Sequence, residues 1–414
     1  MRRHATLVAA LLAALALLGA ASARAADRCE QMRSWLRAGG GAASGLLVVD
    51  AESGAVACAA AAARPRILAS NMKLFTTAAV LSRLGPRTRI PTRLLADREP
   101  GPDGTLRGSL YLKGGGDPAL GTPAFYTRWR GGLGTNLLAL RAQARAAGIR
   151  AVTGRLYADD TVFDRRRGVP DSGFATSPYI GPLSGLAFNA GFRAASPFSG
   201  HAADPARLAA RKLARALRAA GVRLAARPAL GRAPDGAVTV AVVRSPTLGA
   251  LADRTNVYSD NFYAETLLKL LGARLGRGGT TAGGAAAVSE FARSLGSGVQ
   301  AADGSGLTRA NRASPRQVVA LLRAMLADEA GEDFVQTLPL TGVEGTVAGR
   351  MAGSAAYRRC RAKTGTLTGV SALSGYCFNR SGRVMAFSIL MNGVRSAATA
   401  RLYQDRIAAL VASY

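Results

Sequence analysis

Apolar positions follow two rhythms along this chain, and the places where the rhythm changes divide it. The first apolar run, over 5–21, sits behind Arg2 and Arg3 and ends in the small residues of Ala23-Arg24-Ala25. A positive start, an apolar stretch and a small-x-small site predict an export signal over 1–25, with the mature chain starting near Ala26 or Asp27. The run is at the short end for a membrane span, and no later stretch is long enough to cross a bilayer. Beyond it, 28–36 reads as a short helix ending at Gly39-Gly40-Gly41. Next come a strand over 46–50, a turn at Ala51-Glu52-Ser53-Gly54 and a return strand over 55–59. A helix is predicted over 71–83, closed by Gly85-Pro86.

The character changes between 87 and 244. Short alternations over 106–113, 152–158 and 237–243 are separated by Gly-, Pro- and Asp-rich turns. Helical patterns over 137–147 and 205–220 interrupt them, the second with Asp204 as cap and Pro205 at its first position. From 247 the helical period takes over, at 248–252, 261–271, 282–295 and 315–327. A meander closes the chain: strands over 360–367 and 371–379 reverse at Thr368-Gly369, a turn at Arg380-Ser381-Gly382 leads to a strand over 384–391, and an amphipathic helix runs over 397–411. A first hairpin, a helical middle and a closing meander imply one α+β domain, 26–86 with 245–414. An α+β insert of one or two small domains, 87–244, splits it.

Length agrees, since 414 residues exceed one ordinary domain. With 49% hydrophobic residues the chain can bury a sizeable core, and global disorder is excluded. The formal net charge is +29, nearly all of it from arginine; the only lysines are Lys73, Lys113, Lys212, Lys269 and Lys363. The arginines are dispersed. The one tight triplet, Arg165-Arg166-Arg167, has no interleaved aromatics, so the charge reads as a general surface property, without a specific nucleic-acid site. It leaves room for electrostatic association with an anionic wall or membrane surface. The two histidines are His4, in the signal, and His201, beside a Pro- and Gly-rich turn region and read as a surface residue. A histidine-rich zinc site is therefore excluded, and neither a metal nor a cofactor is expected. The four cysteines, Cys29, Cys58, Cys360 and Cys377, form no C-x-x-C and suit disulfides in an exported chain. A hairpin turning at Thr368-Gly369 sets Lys363 opposite Ser374 and Cys360 opposite Cys377, which leaves Cys29 for Cys58.

Three short motifs carry chemistry. Ser70-Asn71-Met72-Lys73 is an S-x-x-K at a helix start, and a spacing of three puts hydroxyl and amine on one face, one turn apart. Taken alone it is met as well by an N-cap serine and a solvated lysine. Ser259-Asp260-Asn261 is an S-D-N where a helix begins, again open to a capping role, with Glu265 in the first turns. Lys363-Thr364-Gly365-Thr366 lies on a strand, where Gly365 removes a side chain and lets something approach the backbone; an edge-strand lysine with a bulge glycine would look the same. In this order, on helix, loop-to-helix and strand, the three form the trio of serine β-lactamases and penicillin-binding proteins.

Further stretches match: Gly115-Gly116-Asp117-Pro118, 259–265, 303–309, Leu338-Pro339-Leu340-Thr341-Gly342 and 362–367. Across nearly the whole mature chain, and most strongly after Val257, the sequence resembles low-molecular-mass penicillin-binding proteins of the D-Ala-D-Ala carboxypeptidase/endopeptidase type. That resemblance implies a β-lactamase/transpeptidase-like domain, an antiparallel sheet flanked by helices. It implies action on peptidoglycan stem peptides and cross-links outside the cytoplasm, in the periplasm or cell-wall space, with β-lactams as covalent inhibitors. Carried over, Ser70 is the acylated nucleophile and Lys73 its base. Ser259 relays a proton to the leaving amine, and Asn261 holds Lys73 and a substrate amide. Lys363, with Thr364, Gly365 and Thr366, receives the terminal carboxylate. The backbone N–H groups of Ser70 and Thr366 form the oxyanion hole. Burial and the charge of Lys363 would lower the Lys73 pKa. Asp160, or equally Asp159, would bind a peptide amino group from the insert. Asp303-Gly304-Ser305-Gly306 reads as a tight turn needing glycine.

Two rival readings remain at this level. A class A β-lactamase needs a glutamate-activated water, and no Glu-x-x-Leu-Asn lies between Ser259 and Lys363. A non-catalytic basic wall- or nucleic-acid-binding protein would not need an intact trio.

Overall fold

The computed structural model describes residues 26–379 and 382–414; the expected export signal over 1–25 and Arg380-Ser381 of the expected last turn lie outside the described residues. The chain divides into two compact units.

One unit holds the residues up to Leu68, Ala313–Arg323 and Pro339–Tyr414. Its five-stranded sheet has the order Cys360–Leu367, Val370–Phe378, Val384–Asn392, Gly45–Asp50, Val56–Ala60, and all four pairings are antiparallel. Alternation sends Met385, Phe387, Ile389 and Met391 of the middle strand to one face. There they meet Met32 and Leu36 from the helix over 26–40, and Ile407 and Val411 from the helix Ala397–Val411. On the same sheet the buried Tyr376 hydroxyl donates to the Leu322 carbonyl at 2.6 Å, tying in Ala313–Arg323. Gly369 turns the motif hairpin with φ +73°. The predicted register holds: Lys363 faces Ser374 and Cys360 faces Cys377. Both expected disulfides are present, Cys360–Cys377 and Cys29–Cys58.

The other unit holds Ala69–Arg312 and Ala324–Leu338. Its helical part is built around Met72–Leu84, which buries every residue from Met72 to Leu81. A helix apolar on nearly all sides has to be surrounded. Leu248–Val257, Asn261–Arg274, Thr281–Ser294 and Gly331–Gln336 pack against it. Asn256 ties the helices together, its Nδ2 donating to the Thr77 hydroxyl at 3.0 Å and the Thr337 hydroxyl at 2.8 Å.

The same unit contains a mixed five-stranded sheet in the order Ala229–Leu230, Leu156–Asp159, Leu110–Lys113, Arg89–Ala96, Val238–Thr247. Helix Pro205–Ala219, capped by Asp204, covers it with Leu213 and Leu217. Here the expected strands needed correction. The alternations over 106–113 and 152–158 are each broken in two, and the halves join different sheets. The break is a glycine pinch: Gly154 N donates to Gly108 O at 2.8 Å, and a side chain on Gly154 would strike that carbonyl. Strand Arg89–Ala96 was not anticipated, and it holds Pro91, which a central strand disfavours. The structure accommodates Pro91 where Leu110–Lys113 no longer pairs, since that contact covers only Arg93 to Ala96. On the other side, the register slips just past its partner Arg244. His201 is half-buried rather than a surface residue, its ring stacked on Phe192 at 4.4 Å.

Peptide mapping without reduction should recover Cys29 with Cys58 and Cys360 with Cys377. Replacing Cys360 and Cys377 together by alanine should cost about 3 kcal/mol in denaturant titration. A peptide joining Cys29 to Cys360 would refute the pairing.

Candidate active site

The helix that carries Lys73 begins in a strained turn. Ala69, just before Ser70, sits at φ +47°, a left-handed conformation unfavourable for a side chain with a Cβ. Ser70 and Asn71 complete a 3₁₀ turn into Met72–Leu84. The capping position belongs to Asn71, which makes no side-chain cap bond. Ser70 is thus released from the capping role that its position allowed, and it is half-exposed.

Lys73 is fully buried beside it. Its Nζ lies 3.0 Å from Ser70 Oγ, 2.7 Å from Asn261 Oδ1 and 2.6 Å from the carbonyl oxygen of Ser305. The last two can only accept. A neutral amine has two N–H bonds and one lone pair. Asn261 and Ser305 consume the two N–H bonds, so the lone pair faces the one partner able to donate, the Ser70 hydroxyl. The Asn261 amide is fixed in this sense because its Nδ2 donates to the Tyr179 carbonyl at 3.1 Å. Burial pulls the Lys73 pKa down to about 8, against the opposing pull of Asp303, Glu265 and Asp260. Desolvation wins because no carboxylate reaches hydrogen-bond distance.

The S-D-N motif divides its work. Asp260, not Ser259, caps helix Asn261–Arg274, accepting from Tyr263 N, and its Oδ2 is held by Arg130 at 2.9 Å and Arg254 at 3.5 Å. Ser259 is at φ +57°, also left-handed backbone in a non-glycine residue.

Sequence reasoning treated 303–306 as a turn and missed its reach. Asp303 accepts from Gly306 N, Thr308 N and Asn311 Nδ2, each at 2.7 Å, and so folds the loop. Gly306, at φ +84°, lies on the Ala69 carbonyl, where a Cβ would collide. The Ser305 carbonyl then meets Lys73. Glu265 was also missed as a contact: its Oε1 accepts from Gly304 N at 2.9 Å and Ser305 N at 2.7 Å.

In the other unit, Lys363, Thr364, Gly365 and Thr366 lie on the edge strand Cys360–Leu367. Pro339 and Thr341 bond its outer edge at Ala362 and Cys360. Lys363 is fully buried and its Nζ donates to the Thr364 carbonyl at 2.9 Å, while Thr366 is exposed. Between the first two motifs, Asp160 Oδ2 accepts from Arg167 at 3.1 Å and Ser184 at 2.8 Å. Asp159 accepts from Thr161 and from Ala233 N. Among the described residues no group of acidic, Cys or His side chains could hold a metal ion, and no helix is long and apolar enough to cross a membrane.

A sequence model of the D-Ala-D-Ala carboxypeptidase 3 (S13) family matches residues 31–196 and 192–414. A D-alanyl-D-alanine carboxypeptidase of Actinomadura sp. (strain R39) is 32% identical, over 100% of this chain and 91% of that protein. Carboxypeptidase DacB of Mycolicibacterium smegmatis is 32% identical, over 88% and 79%. Among solved structures, penicillin binding protein 4 of Haemophilus influenzae superposes with a TM-score of 0.76 at 21% identity, covering 90% of this chain and 96% of that one. The fold is therefore of the penicillin-binding kind that the motif order implied.

The Lys73 geometry predicts the pH dependence of serine acylation. Below about pH 8 the amine is an ammonium and donates to all three neighbours, so acylation should rise about tenfold per pH unit and level off above that point. The second-order rate of penicillin acylation, followed across pH, checks this. A flat profile through neutral pH would place the base elsewhere.

Proposed function

This chain belongs to the D-Ala-D-Ala carboxypeptidase 3 (S13) family, and from that premise we propose how its residues carry the reaction. It is a serine peptidase that removes the terminal D-alanine of peptidoglycan stem peptides. The observation that carries the mechanism is the placement of Lys73 Nζ 3.0 Å from Ser70 Oγ and between two fixed acceptors, which turns the lone pair of the neutral amine toward Ser70.

Ser70 Oγ attacks the carbonyl carbon of the penultimate D-alanine while its proton passes to Lys73 Nζ. The negative oxygen of the tetrahedral intermediate is held by the backbone N–H groups of Ser70 and Thr366. As the C–N bond breaks, Ser259 relays the proton to the leaving amine, and water then hydrolyses the Ser70 ester. Lys363 pairs with the substrate's terminal carboxylate, aided by Thr364 and Thr366, with Gly365 keeping the strand backbone open to the peptide. A cross-link cut at the equivalent D-alanyl bond follows the same steps, so endopeptidase action belongs to this reading. So does covalent inhibition by β-lactams, whose ring carbonyl accepts the same attack. For Asp160 the assignment is narrower: a peptide ammonium would share a carboxylate that Arg167 already holds. Residues 87–244 are the insert, and the site of action is outside the cytoplasm.

Penicillin should add once, at Ser70, by intact mass, and Ser70→Ala should abolish both the adduct and D-alanine release. Lys363→Ala should slow carboxylate-bearing substrates by about 2–5 kcal/mol, far more than a neutral ester of similar size. An adduct on another serine, or equal loss on both substrates at every pH, would overturn the assignment.

Part of the dispersed positive charge lies along one helix between the first two motifs. Helix Pro205–Ala219 carries Arg207, Arg211, Lys212, Arg215 and Arg218 and no acidic residue, and Arg211, Arg215 and Arg218 are exposed. This face would attract an anionic wall or membrane surface. Co-sedimentation with purified wall should fall as salt rises, and Arg211→Glu with Arg215→Glu should weaken it. Binding that ignores both would exclude this face.

A further inference from the structure

Glu265 has no place in the acylation chemistry, yet it is fully buried in the helix that begins at Asn261. Its Oε1 accepts two consecutive backbone N–H groups, from Gly304 and Ser305. Its Oε2 has no hydrogen-bond partner among the described residues. The loop it grips is clamped from the opposite side as well, where the Thr76 hydroxyl donates to the Gly304 carbonyl at 2.8 Å. Gly304 lies so close to the helix that a Cβ would stand 2.8 Å from the Ala264 carbonyl. The peptide thus held presents the Ser305 carbonyl to Lys73 Nζ at 2.6 Å.

We propose that Glu265 is a positioning residue for the base: by holding the Gly304 and Ser305 amides on one oxygen, it fixes the Ser305 carbonyl that directs the Lys73 lone pair at Ser70. The inference rests on the assignment of Ser70 and Lys73 above. It requires an acceptor, not a charge. The charged groups around Glu265 are Lys73, Asp303 and, one turn along its own helix, Lys269, which pairs with Asp164 at 2.6 Å. Burial with Asp303 nearby pushes the Glu265 carboxyl up to about 8. An unpartnered Oε2 is better borne by the neutral acid than by a carboxylate. A neutral acid still accepts both amides on Oε1. It also avoids placing a full negative charge where it would hold Lys73 protonated.

The test separates acylation from non-covalent binding of penicillin by stopped flow, on the full chain, with Ser70→Ala alongside. Glu265→Gln keeps the acceptor and should acylate within about threefold of the native protein. Glu265→Ala removes it and should lower the acylation rate constant about a hundredfold, the scale of a 1 Å misplacement, with the non-covalent constant unchanged. Glu265→Asp, one methylene short, should show a loss of the same kind, and it decides the matter where the alanine variant does not fold. Native-like acylation in the alanine or aspartate variant would overturn the proposal, and so would a hundredfold loss in the glutamine variant. A native protein not labelled at Ser70 would instead overturn the assignment on which the proposal rests.

Discussion

The burial of the Lys73 amine constrains everything around it. An ammonium taken fully out of water costs several kcal/mol unless it is paired. No carboxylate is offered at contact distance; what meets Nζ are an amide oxygen, a peptide carbonyl and a hydroxyl. That set satisfies a neutral amine and leaves an ammonium under-compensated, so the pKa falls toward working pH. A lowered lysine pKa results from withholding a counter-ion as much as from burial.

Such a site needs rigid neighbours, because two fixed acceptors define a lone-pair direction only while they stay fixed. The structure supplies that rigidity by over-determination. Ala69 and Ser259 hold left-handed backbone that would relax if left alone. Gly306 seats the 303–306 loop against the Ala69 carbonyl, three bonds on Asp303 close that loop, and Asp260, braced by two arginines, ends the turn at Ser259. Ala69 borders one motif and Ser259 belongs to another, and the helices behind them are tied together, with Asn256 linking Thr77 to Thr337.

What could be read from sequence follows from this division. Side-chain chemistry at fixed spacing was legible: the three motifs, the hairpin turning at Gly369, and with it the Cys360–Cys377 pairing, because a period of two and one turn fix a register. Contacts made by backbone atoms were not. Nothing in the letters at 179 or 305 announces that the Tyr179 carbonyl orients Asn261 or that the Ser305 carbonyl meets Lys73. Partners set by tertiary packing were equally hidden: nothing in the sequence shows that Arg167 and Ser184 meet Asp160 on the same oxygen. The split strands of the insert failed for a local reason, a close approach of Gly154 to Gly108 that no alternation pattern records.

The three fully buried lysines show why burial alone does not mark a base. Lys269 is as inaccessible as Lys73, but its Nζ meets the Asp164 carboxylate at 2.6 Å and the Arg166 carbonyl at 2.9 Å. Burial lowers its pKa too, and Asp164 works against that fall directly, so it stays an ion-paired tether between helix and loop. Lys363 is buried with its Nζ on the carbonyl of the next residue, at the edge of a sheet. On the proposed reading this amine receives the carboxylate with which the substrate ends. The same residue type thus serves as an ion-paired tether at Lys269 and, on the proposed reading, as carboxylate receptor at Lys363 and base at Lys73. What separates Lys269 from Lys73 is the chemistry of the atoms within 3 Å of the amine: a carboxylate for Lys269, and neutral acceptors with one hydroxyl for Lys73.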